Sequence, residues 1–534
     1  MTDDRRTLLQ RTGIAAVSGT LLYLSAPPFK IWPLCFVAAL LLAYSVRGVS
    51  ARRAFWLGLV GAFFYWIFAA PWLVGTITRF AGLSTAIAVV LFLLYCFGQS
   101  LMIAAQCALS AATRTILGAS AAAALCALAS ERYIAAVFAW QYAAPLVEAP
   151  WIPQVADLVT VSGVSALLHG TATAVVSALE ESRAGALTKS GKRALAVWLA
   201  MFVGSFVYGA VRTKQFSNAD ARPAVRVALL QPAVPPLVRW DESAANSILQ
   251  KLHWQTGEAL RERPDLIVWH EGAYPYVLPH QAGIDGLHGP PVWTVREAPP
   301  IVFGLMSAGQ GATRYNGVFL RNEDATLSTP VAKRALVPFG ESVPLASTLP
   351  WLAQIFSKSG GISPGTGTPL LRTRSGLLLG ILICFEDTLA HAAADAADGA
   401  LLVNLTNDGW FESPTALEEH LLMARWRSIE LRRETVRAVN SGVSGRIDVL
   451  GRMAARGPVN TAMVLHVTAR TWDTRTLAPH FARWGGFVAS LAVIAALLER
   501  SRRALVARRA ARGGSSEPTK SSEPAPASDD GAAK

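Results

Sequence analysis

Long apolar runs separated by short polar loops dominate the chain up to about residue 215. A run of about 20 apolar residues is long enough to cross the hydrocarbon core of a bilayer as a helix. Seven such runs precede residue 215 and an eighth follows near the end of the chain, at residues 12–28, 31–47, 54–74, 84–110, 116–137, 156–178, 194–211 and 482–498. The pattern predicts a polytopic α-helical membrane bundle of about eight transmembrane helices.

Residues 223–475 follow a different pattern, in which short apolar runs alternate with amphipathic stretches. The predicted strands are 225–230, 265–269, 301–304, 317–320 and 401–404, and the predicted helices are 243–261 and 418–433. This alternation is typical of an α/β or α+β domain with a buried sheet. We expect a transmembrane domain, a catalytic domain, an eighth transmembrane helix and a tail that is first basic and then disordered, at residues 1–214, 215–480, 481–500 and 501–534.

Charge then suggests an orientation. The chain is 52% hydrophobic and 16% charged, whereas soluble domains carry about 25% charged residues. The formal net charge is +13, and the basic residues cluster in alternate loops, which is typical of membrane topology signals. They are Arg5, Arg6, Arg11, Arg47, Arg52, Arg53, Arg114, Arg183, Lys189, Lys192, Arg193, Arg500, Arg502, Arg503, Arg508, Arg509 and Arg512. We expect these loops in the cytoplasm, residues 215–480 outside it, and no nucleic-acid partner.

Arg5-Arg6 resembles a twin-arginine signal, but no A-x-A cleavage site follows, so an uncleaved first helix is expected.

One cysteine stands apart from the others. Of the five cysteines, only Cys384 lies outside the apolar helical runs, and it ends the apolar run 377–383. Taken alone, this position fits a buried core cysteine at least as well as a nucleophile, because unpaired cysteine is among the most buried residue types. No Cys/His spacing suggests a metal site, and no cofactor is expected.

Two further residues at predicted strand ends complete a chemical set with Cys384. Glu271 alone could cap a turn, and Lys333 alone could be a solvated lysine. A nucleophilic cysteine, however, needs a base or a nearby cation, because an ordinary thiol is only a few per cent thiolate at neutral pH. Glu271 could take the thiol proton, and Lys333 could stabilise a thiolate and an oxyanion. Glu341 and Glu386 would add carboxylates near the lysine and shift pKa values there.

The motifs around these residues resemble those of the nitrilase or carbon–nitrogen hydrolase superfamily. The motifs are WHEGAYP at residues 269–275, Lys333 with LVPFGESVP at 336–344, CFE at 384–386 and NLTNDGWF at 404–411. With the membrane layout, the chain as a whole is similar to the apolipoprotein N-acyltransferase family. The resemblance implies an αββα sandwich and a Glu271–Lys333–Cys384 triad. It also implies supporting residues, which are Glu341, Phe385, Glu386, Trp240, Asn316, Asn407 and His420. Two residues depart from the family pattern: His270 replaces a small residue or proline, and Phe385 replaces a tyrosine.

The resemblance further implies acyl transfer through a thioester on Cys384. The donor would be a membrane phospholipid, and the acceptor would be the α-amino group of the N-terminal diacylglyceryl-cysteine of an apolipoprotein. A backbone N–H near Phe385 would assist Lys333 at the oxyanion. The implied location is the bacterial inner membrane, with the catalytic domain in the periplasm.

Two other functions and one ambiguous segment remain open at this point. A membrane-anchored amidase or nitrilase acting on a small amide would need far less anchor than seven spans. A non-catalytic scaffold would not need an intact triad. Trp351, Leu352 and Phe356 belong to the segment 345–356, which follows the lysine motif directly. They fit a mobile, membrane-facing arm that gates lipid entry and a packed surface helix equally well.

Overall fold

Helices form the first part of the chain. The computed structural model describes residues 3–134, 137–217, 222–235, 238, 241–295, 297–343, 348–349, 361–411 and 413–513. The first eight α-helices described are α1 (Asp3–Ser25), α2 (Leu34–Val46), α3 (Ala51–Ala69), α4 (Trp72–Ala81), α5 (Thr85–Leu117), α6 (Ala119–Tyr133), α7 (Ala156–Arg183) and α8 (Lys189–Phe216). Helices α1, α2, α3, α5 and α7 share one apolar core.

Length and hydropathy support several membrane spans. Within the described residues, four helical segments are long and apolar enough to cross a bilayer by themselves, at Thr85–Leu117, Ile152–Arg183, Lys189–Phe216 and Ala478–Arg509. A fifth is reached if α3 and α4 are counted as one bent span, and α2 is a shorter apolar helix. The total of eight spans therefore stays a prediction.

The predicted span at 54–74 is broken in the structure. Helix α3 ends at Ala69, α4 begins at Trp72, and the two are bent by 64°. Pro71 lies at the break; it lacks an N–H and its ring clashes with the preceding turn, so a straight helix cannot run through it.

Two β-sheets form the second part of the chain. The strands are β1 (Ala224–Gln231), β2 (Leu266–Val268), β3 (Tyr274–Pro279), β4 (Gly283–Ile284), β5 (Ile301–Ala308), β6 (Arg314–Arg321), β7 (Thr326–Leu327), β8 (Val331–Ala332), β9 (Leu370–Arg372), β10 (Leu378–Ile383), β11 (Leu401–Thr406), β12 (Thr435–Val439), β13 (Gly445–Ile447), β14 (Met453–Arg456) and β15 (Met463–Arg470). The larger sheet has the order β15-β1-β2-β5-β6-β7-β4, with β3 on β5 and β8 on β6. The smaller has the order β14-β13-β12-β11-β10-β9, with β10, β11 and β12 parallel.

The sheets pack face to face between two helical layers. One apolar core joins Val227 and Val302 of the larger sheet to Ile381 and Val403 of the smaller sheet. The remaining helices are α9 (Ala245–Leu260), α10 (Ala390–Asp395), α11 (Pro414–Leu431) and α12 (Ala478–Gly513). Helix α9 covers the outer face of the larger sheet, while α10 and the end of α11 cover that of the smaller sheet. This arrangement is the predicted αββα sandwich.

Helix α11 also attaches the sandwich to the N-terminal helices. Its residues Leu422, Met423 and Trp426 belong to the core of the N-terminal bundle. Just beyond its end, the buried Arg432 donates to Asp157 of α7 at 2.9 Å. The sandwich therefore rests on the helical bundle through a packed interface.

Candidate active site

The candidate nucleophile lies at a sharp turn. Strand β10 ends at Ile383, and Cys384 begins a single 3₁₀ turn, Cys384–Thr388. Cys384 has a φ of +50°, in the left-handed region that non-glycine residues rarely adopt. Backbone strain of this kind clusters at functional sites. The side chain is half-buried, and the turn presents it at the carboxyl ends of the parallel strands β10 and β11.

Glu271 and Lys333 meet beside this turn. Glu271 lies just beyond β2, and Lys333 follows β8 directly. The Lys333 Nζ lies 3.2 Å from the Glu271 carboxylate, and both side chains are largely buried. The backbone N–H of Asn407, at the end of β11, donates to the other Glu271 oxygen at 3.0 Å. Glu271 is thus held from both sheets.

A glycine permits this close packing. An added Cβ on Gly304 of β5 would lie 2.5 Å from the Gly272 nitrogen and 2.8 Å from the Glu271 Cα. Any larger residue would therefore push the Glu271 backbone away from its position.

Asn316 and Glu341 orient the lysine and the glutamate. The Lys333 Nζ lies 2.9 Å from the Glu341 carboxylate. The Asn316 amide donates to Glu271 at 2.7 Å and to Glu341 at 3.0 Å. One ammonium and one amide therefore bridge the two carboxylates.

The charges set the resting protonation states. Burial raises the pKa of the Cys384 thiol well above its usual range, and the Glu271 charge raises it further, while Lys333 opposes both. Burial disfavours the Lys333 ammonium, but the Glu271 and Glu341 carboxylates hold its pKa well above the ordinary value. The resting site therefore contains a protonated thiol and an ammonium, and its chemistry requires a base to remove the thiol proton.

Glu386 does not point at the lysine. Its carboxylate accepts hydrogen bonds from three backbone N–H groups, those of Ile383, Arg334 and Ala335, at 3.0, 2.7 and 3.1 Å. It thereby joins the end of the nucleophile strand to the loop that follows Lys333.

Phe385 faces the helical bundle. Its ring lies 6.3 Å from that of Phe138, which also contacts Phe411 and Tyr95 of α5. Phe411 packs on Trp72 of α4. An aromatic wall therefore runs from the nucleophile turn to the helices.

Comparison with known proteins decides the family. The model of the apolipoprotein N-acyltransferase N-terminal domain matches residues 18–174, and that of carbon–nitrogen hydrolase matches residues 226–470. An apolipoprotein N-acyltransferase of Azotobacter vinelandii is 30% identical over 499 residues, covering 90% of this chain and 93% of that protein. This chain belongs to the apolipoprotein N-acyltransferase family.

Two other members of the apolipoprotein N-acyltransferase family show the same extent of similarity. Those of Allorhizobium ampelinum and Pseudomonas syringae pv. tomato are 29% and 27% identical. The matches cover 86% and 91% of this chain, and 90% and 95% of those proteins. The predicted family and the nitrilase-like fold are therefore confirmed.

A buried ionic network behind the site escaped prediction, except for His420. The His420 imidazole contacts Asp408 at 2.7 Å and Asp387 at 2.8 Å. Arg437 bonds Asp387, and it bonds Asp408 at 3.0 Å. His420 thus lies behind the nucleophile turn, away from the Glu271–Lys333 pair. The positions of Asp387 and Asp408, next to Glu386 and Asn407 in the recognised motifs, were the available signal.

Several predicted residues fall outside the part of the chain that the structure describes. These are Trp240, Trp351, Leu352 and Phe356. Their suggested roles stay predictions from the sequence. His270, which departs from the family pattern, is buried, and its Nδ1 lies 2.8 Å from the Glu271 backbone oxygen.

Proposed function

We propose that this protein transfers a fatty acyl chain from a membrane phospholipid, through a thioester on Cys384, to the N-terminal α-amino group of a diacylglyceryl apolipoprotein. The observation that carries the proposal is the convergence of Glu271, Lys333 and Cys384 in a member of this family. Glu271 and Lys333 lie 3.2 Å apart, and both act electrostatically on the Cys384 thiol. A thiol next to a carboxylate base and an ammonium suits acyl transfer.

The first half-reaction forms the thioester. Glu271 takes the Cys384 proton, and the sulfur attacks the ester carbonyl carbon of the phospholipid. Lys333 and a backbone N–H near Phe385 stabilise the oxyanion of the tetrahedral intermediate. The carbon–oxygen bond then breaks, and Glu271 returns its proton to the lysophospholipid oxygen that leaves.

The second half-reaction releases the acyl group. The acceptor amine attacks the thioester carbonyl, and Glu271 takes a proton from the nitrogen. The carbon–sulfur bond breaks, an amide remains on the acceptor, and the sulfur regains a proton from Glu271. Asn316 and Asn407 hold Glu271 in place through both halves, at 2.7 and 3.0 Å.

The proposed setting is the bacterial inner membrane. Residues 1–214 and 481–500 would lie in the bilayer, and residues 215–480 would lie on its periplasmic side. The contact between Phe385 and Phe138 supports this setting, because it joins the nucleophile turn to the aromatic wall of the helices. Fatty chains of both substrates could approach Cys384 along such an apolar surface.

Mass spectrometry tests the chemistry. Wild-type protein incubated with phospholipid and no acceptor is expected to carry a fatty-acyl adduct on Cys384. The adduct should be labile to hydroxylamine and disappear when a diacylglyceryl peptide is added. Cys384→Ser should fold normally and lose transfer, because a hydroxyl is far less easily activated than a thiol. Glu271→Gln should lose transfer as well, and the double variant should lose little more, because such residues act as a unit.

Two results would contradict the proposal. One is an adduct on another residue, and the other is full transfer by Cys384→Ser. Hydrolysis of small amides without acyl transfer from phospholipid would favour the alternative amidase.

A further inference from the structure

Helix α11 presents a carboxylate to the helical bundle. Glu419 lies three, four and seven residues before Leu422, Met423 and Trp426. Residues at these spacings share one face of a helix. The three apolar residues belong to the core of the N-terminal bundle, so Glu419 lies on the same bundle-facing side of α11.

Among the described residues, both neighbours of Glu419 on α11 have charged partners, whereas the Glu419 Oε1 has no hydrogen-bond partner. Glu418 accepts from Lys30 at 2.7 Å and also pairs with Arg456. His420 is held by Asp387 and Asp408. The Glu419 Oε1 is buried and has no hydrogen-bond partner among the described residues. A buried carboxylate oxygen without a partner is costly, and the group either binds a proton or attracts a cation.

Three tyrosines on three helices lie within electrostatic range of this carboxylate. They are Tyr23 in α1, Tyr65 in α3 and Tyr95 in α5. Trp66 connects two of them, with its ring 5.0 Å from Tyr65 and 5.7 Å from Tyr95. Aromatic faces attract cations, and aromatic groups around an anionic side chain suit an organic ammonium.

We propose that Glu419, together with Tyr23, Tyr65 and Tyr95, binds the primary ammonium group of an amphiphilic substrate. The inference rests on the proposed acyl transfer for the identity of that substrate. Two sources carry the same chemistry: the N-terminal ammonium of the lipoprotein acceptor and the ethanolamine headgroup of a phospholipid. The bound ammonium would act as the counter-ion of Glu419. Burial raises the pKa of Glu419 to about 8 by disfavouring the carboxylate, and a bound ammonium would stabilise the ionised form again.

A binding experiment tests the site without any catalysis. Dodecylammonium is titrated into the full-length protein in a nonionic detergent, with dodecanol as the neutral reference. Glu419→Gln keeps the size of the side chain and removes its charge, so it should weaken dodecylammonium binding about tenfold or more and leave dodecanol unchanged. Glu419→Asp keeps the charge and should retain the preference for ammonium. Glu418→Gln, on the adjacent paired carboxylate, is the matched control and should bind like wild type.

Kinetic arms then identify the source of the ammonium. Thioester formation on Cys384 is followed with phosphatidylethanolamine and with phosphatidylglycerol, and the KM for a diacylglyceryl peptide is measured with phosphatidylglycerol as donor. A loss restricted to phosphatidylethanolamine assigns the headgroup, and a raised acceptor KM assigns the N-terminal amine. Equal dodecylammonium affinity in wild type and Glu419→Gln would overturn the proposal, whatever the enzyme does with phospholipid. Failure of the wild type to form a thioester would instead reject the proposed acyl transfer.

Discussion

His420 shows how a single residue can be recognised correctly and yet act in an unexpected place. Its two ring nitrogens face Asp387 and Asp408, and Arg437 packs beside them at 3.2 Å from Nδ1. Two cations and two carboxylates are therefore buried together, and each charge offsets the desolvation of another. Asp387 lies in the 3₁₀ turn of Cys384, and Asp408 follows Asn407, which holds Glu271. The network thus supports the nucleophile and the base from behind.

Protonation of His420 should make stability depend on pH. Burial alone would lower the pKa of His420, but Asp387 and Asp408 raise it to about 9, against about 6.5 in an unfolded chain. A raised pKa gives stability that is fully present below pH 6.5 and is lost as the pH rises through about 9. His420→Gln should therefore lower the free energy of unfolding at pH 6 by on the order of 3 kcal/mol, and Tm should fall with it. The substitution should also flatten the decline of Tm between pH 7 and about 9.5.

The matched control is His288→Gln. His288 lies on an exposed loop, so this variant should keep the wild-type dependence of Tm on pH. An unchanged decline in His420→Gln would mean that another group titrates.

Among the elements, local pattern predicted far more than the contacts between distant segments. Predicted strands such as 225–230 and 401–404 agree with β1 and β11 to within two residues, because apolar alternation and turn residues are local signals. Pro71 is also a local signal, because proline interrupts a helix. The apolar residues on both sides of it nevertheless led to the prediction of one continuous span. The partners of Glu386 could not be predicted in this way. Its carboxylate reaches Arg334, 52 residues away, and such a contact depends on how two loops meet in the folded sandwich.

Glu386 should control turnover by joining those two loops. In Glu386→Gln the carbonyl oxygen can still accept from one side, but the NH₂ group then faces a backbone N–H and leaves a buried donor without an acceptor. The expected cost is about 1–3 kcal/mol of stability, with a fall in kcat of tenfold or more because Lys333 and Cys384 shift apart.

Glu434→Gln is the matched control. Glu434 is a buried carboxylate just before β12, at the end of that strand away from the site, where it accepts from Arg446 and Arg470 at 2.9 Å. Both donors reach the same Glu434 oxygen, which a glutamine carbonyl can replace, so this variant loses a buried charge and should retain kcat; an equal loss of kcat would argue against a specific role for Glu386.

At the scale of the whole molecule, the contacts between helix ends agree with the distribution of charge. Arg11 of α1 donates to the backbone oxygen of Ser45 at the end of α2 at 3.1 Å. Arg47 pairs with Glu180 near the end of α7, and Arg500 of α12 donates to Ala112 near the end of α5 at 3.0 Å. All of these residues adjoin loops that the charge pattern assigns to the cytoplasm. At the other end of the bundle, Lys30 reaches Glu418 of the sandwich. The basic ends therefore gather on the face opposite the sandwich.

This arrangement predicts a topology that gene fusions can test. If α3 and α4 form one broken span, seven crossings separate the basic N-terminus from β1, so the sandwich should lie outside the cytoplasm. Alkaline phosphatase needs disulfides that form only outside the cytoplasm. A fusion after Ser217 should therefore be active, and fusions after Gly185 and Gly513 should be inactive. β-Galactosidase, which is active only in the cytoplasm, should give the reciprocal pattern at the same three positions.

An inactive phosphatase at Ser217 together with active fusions at Gly185 and Gly513 would place the sandwich in the cytoplasm. The proposed acylation of exported lipoproteins would then be untenable, because acceptor and catalytic site would lie on opposite sides of the membrane.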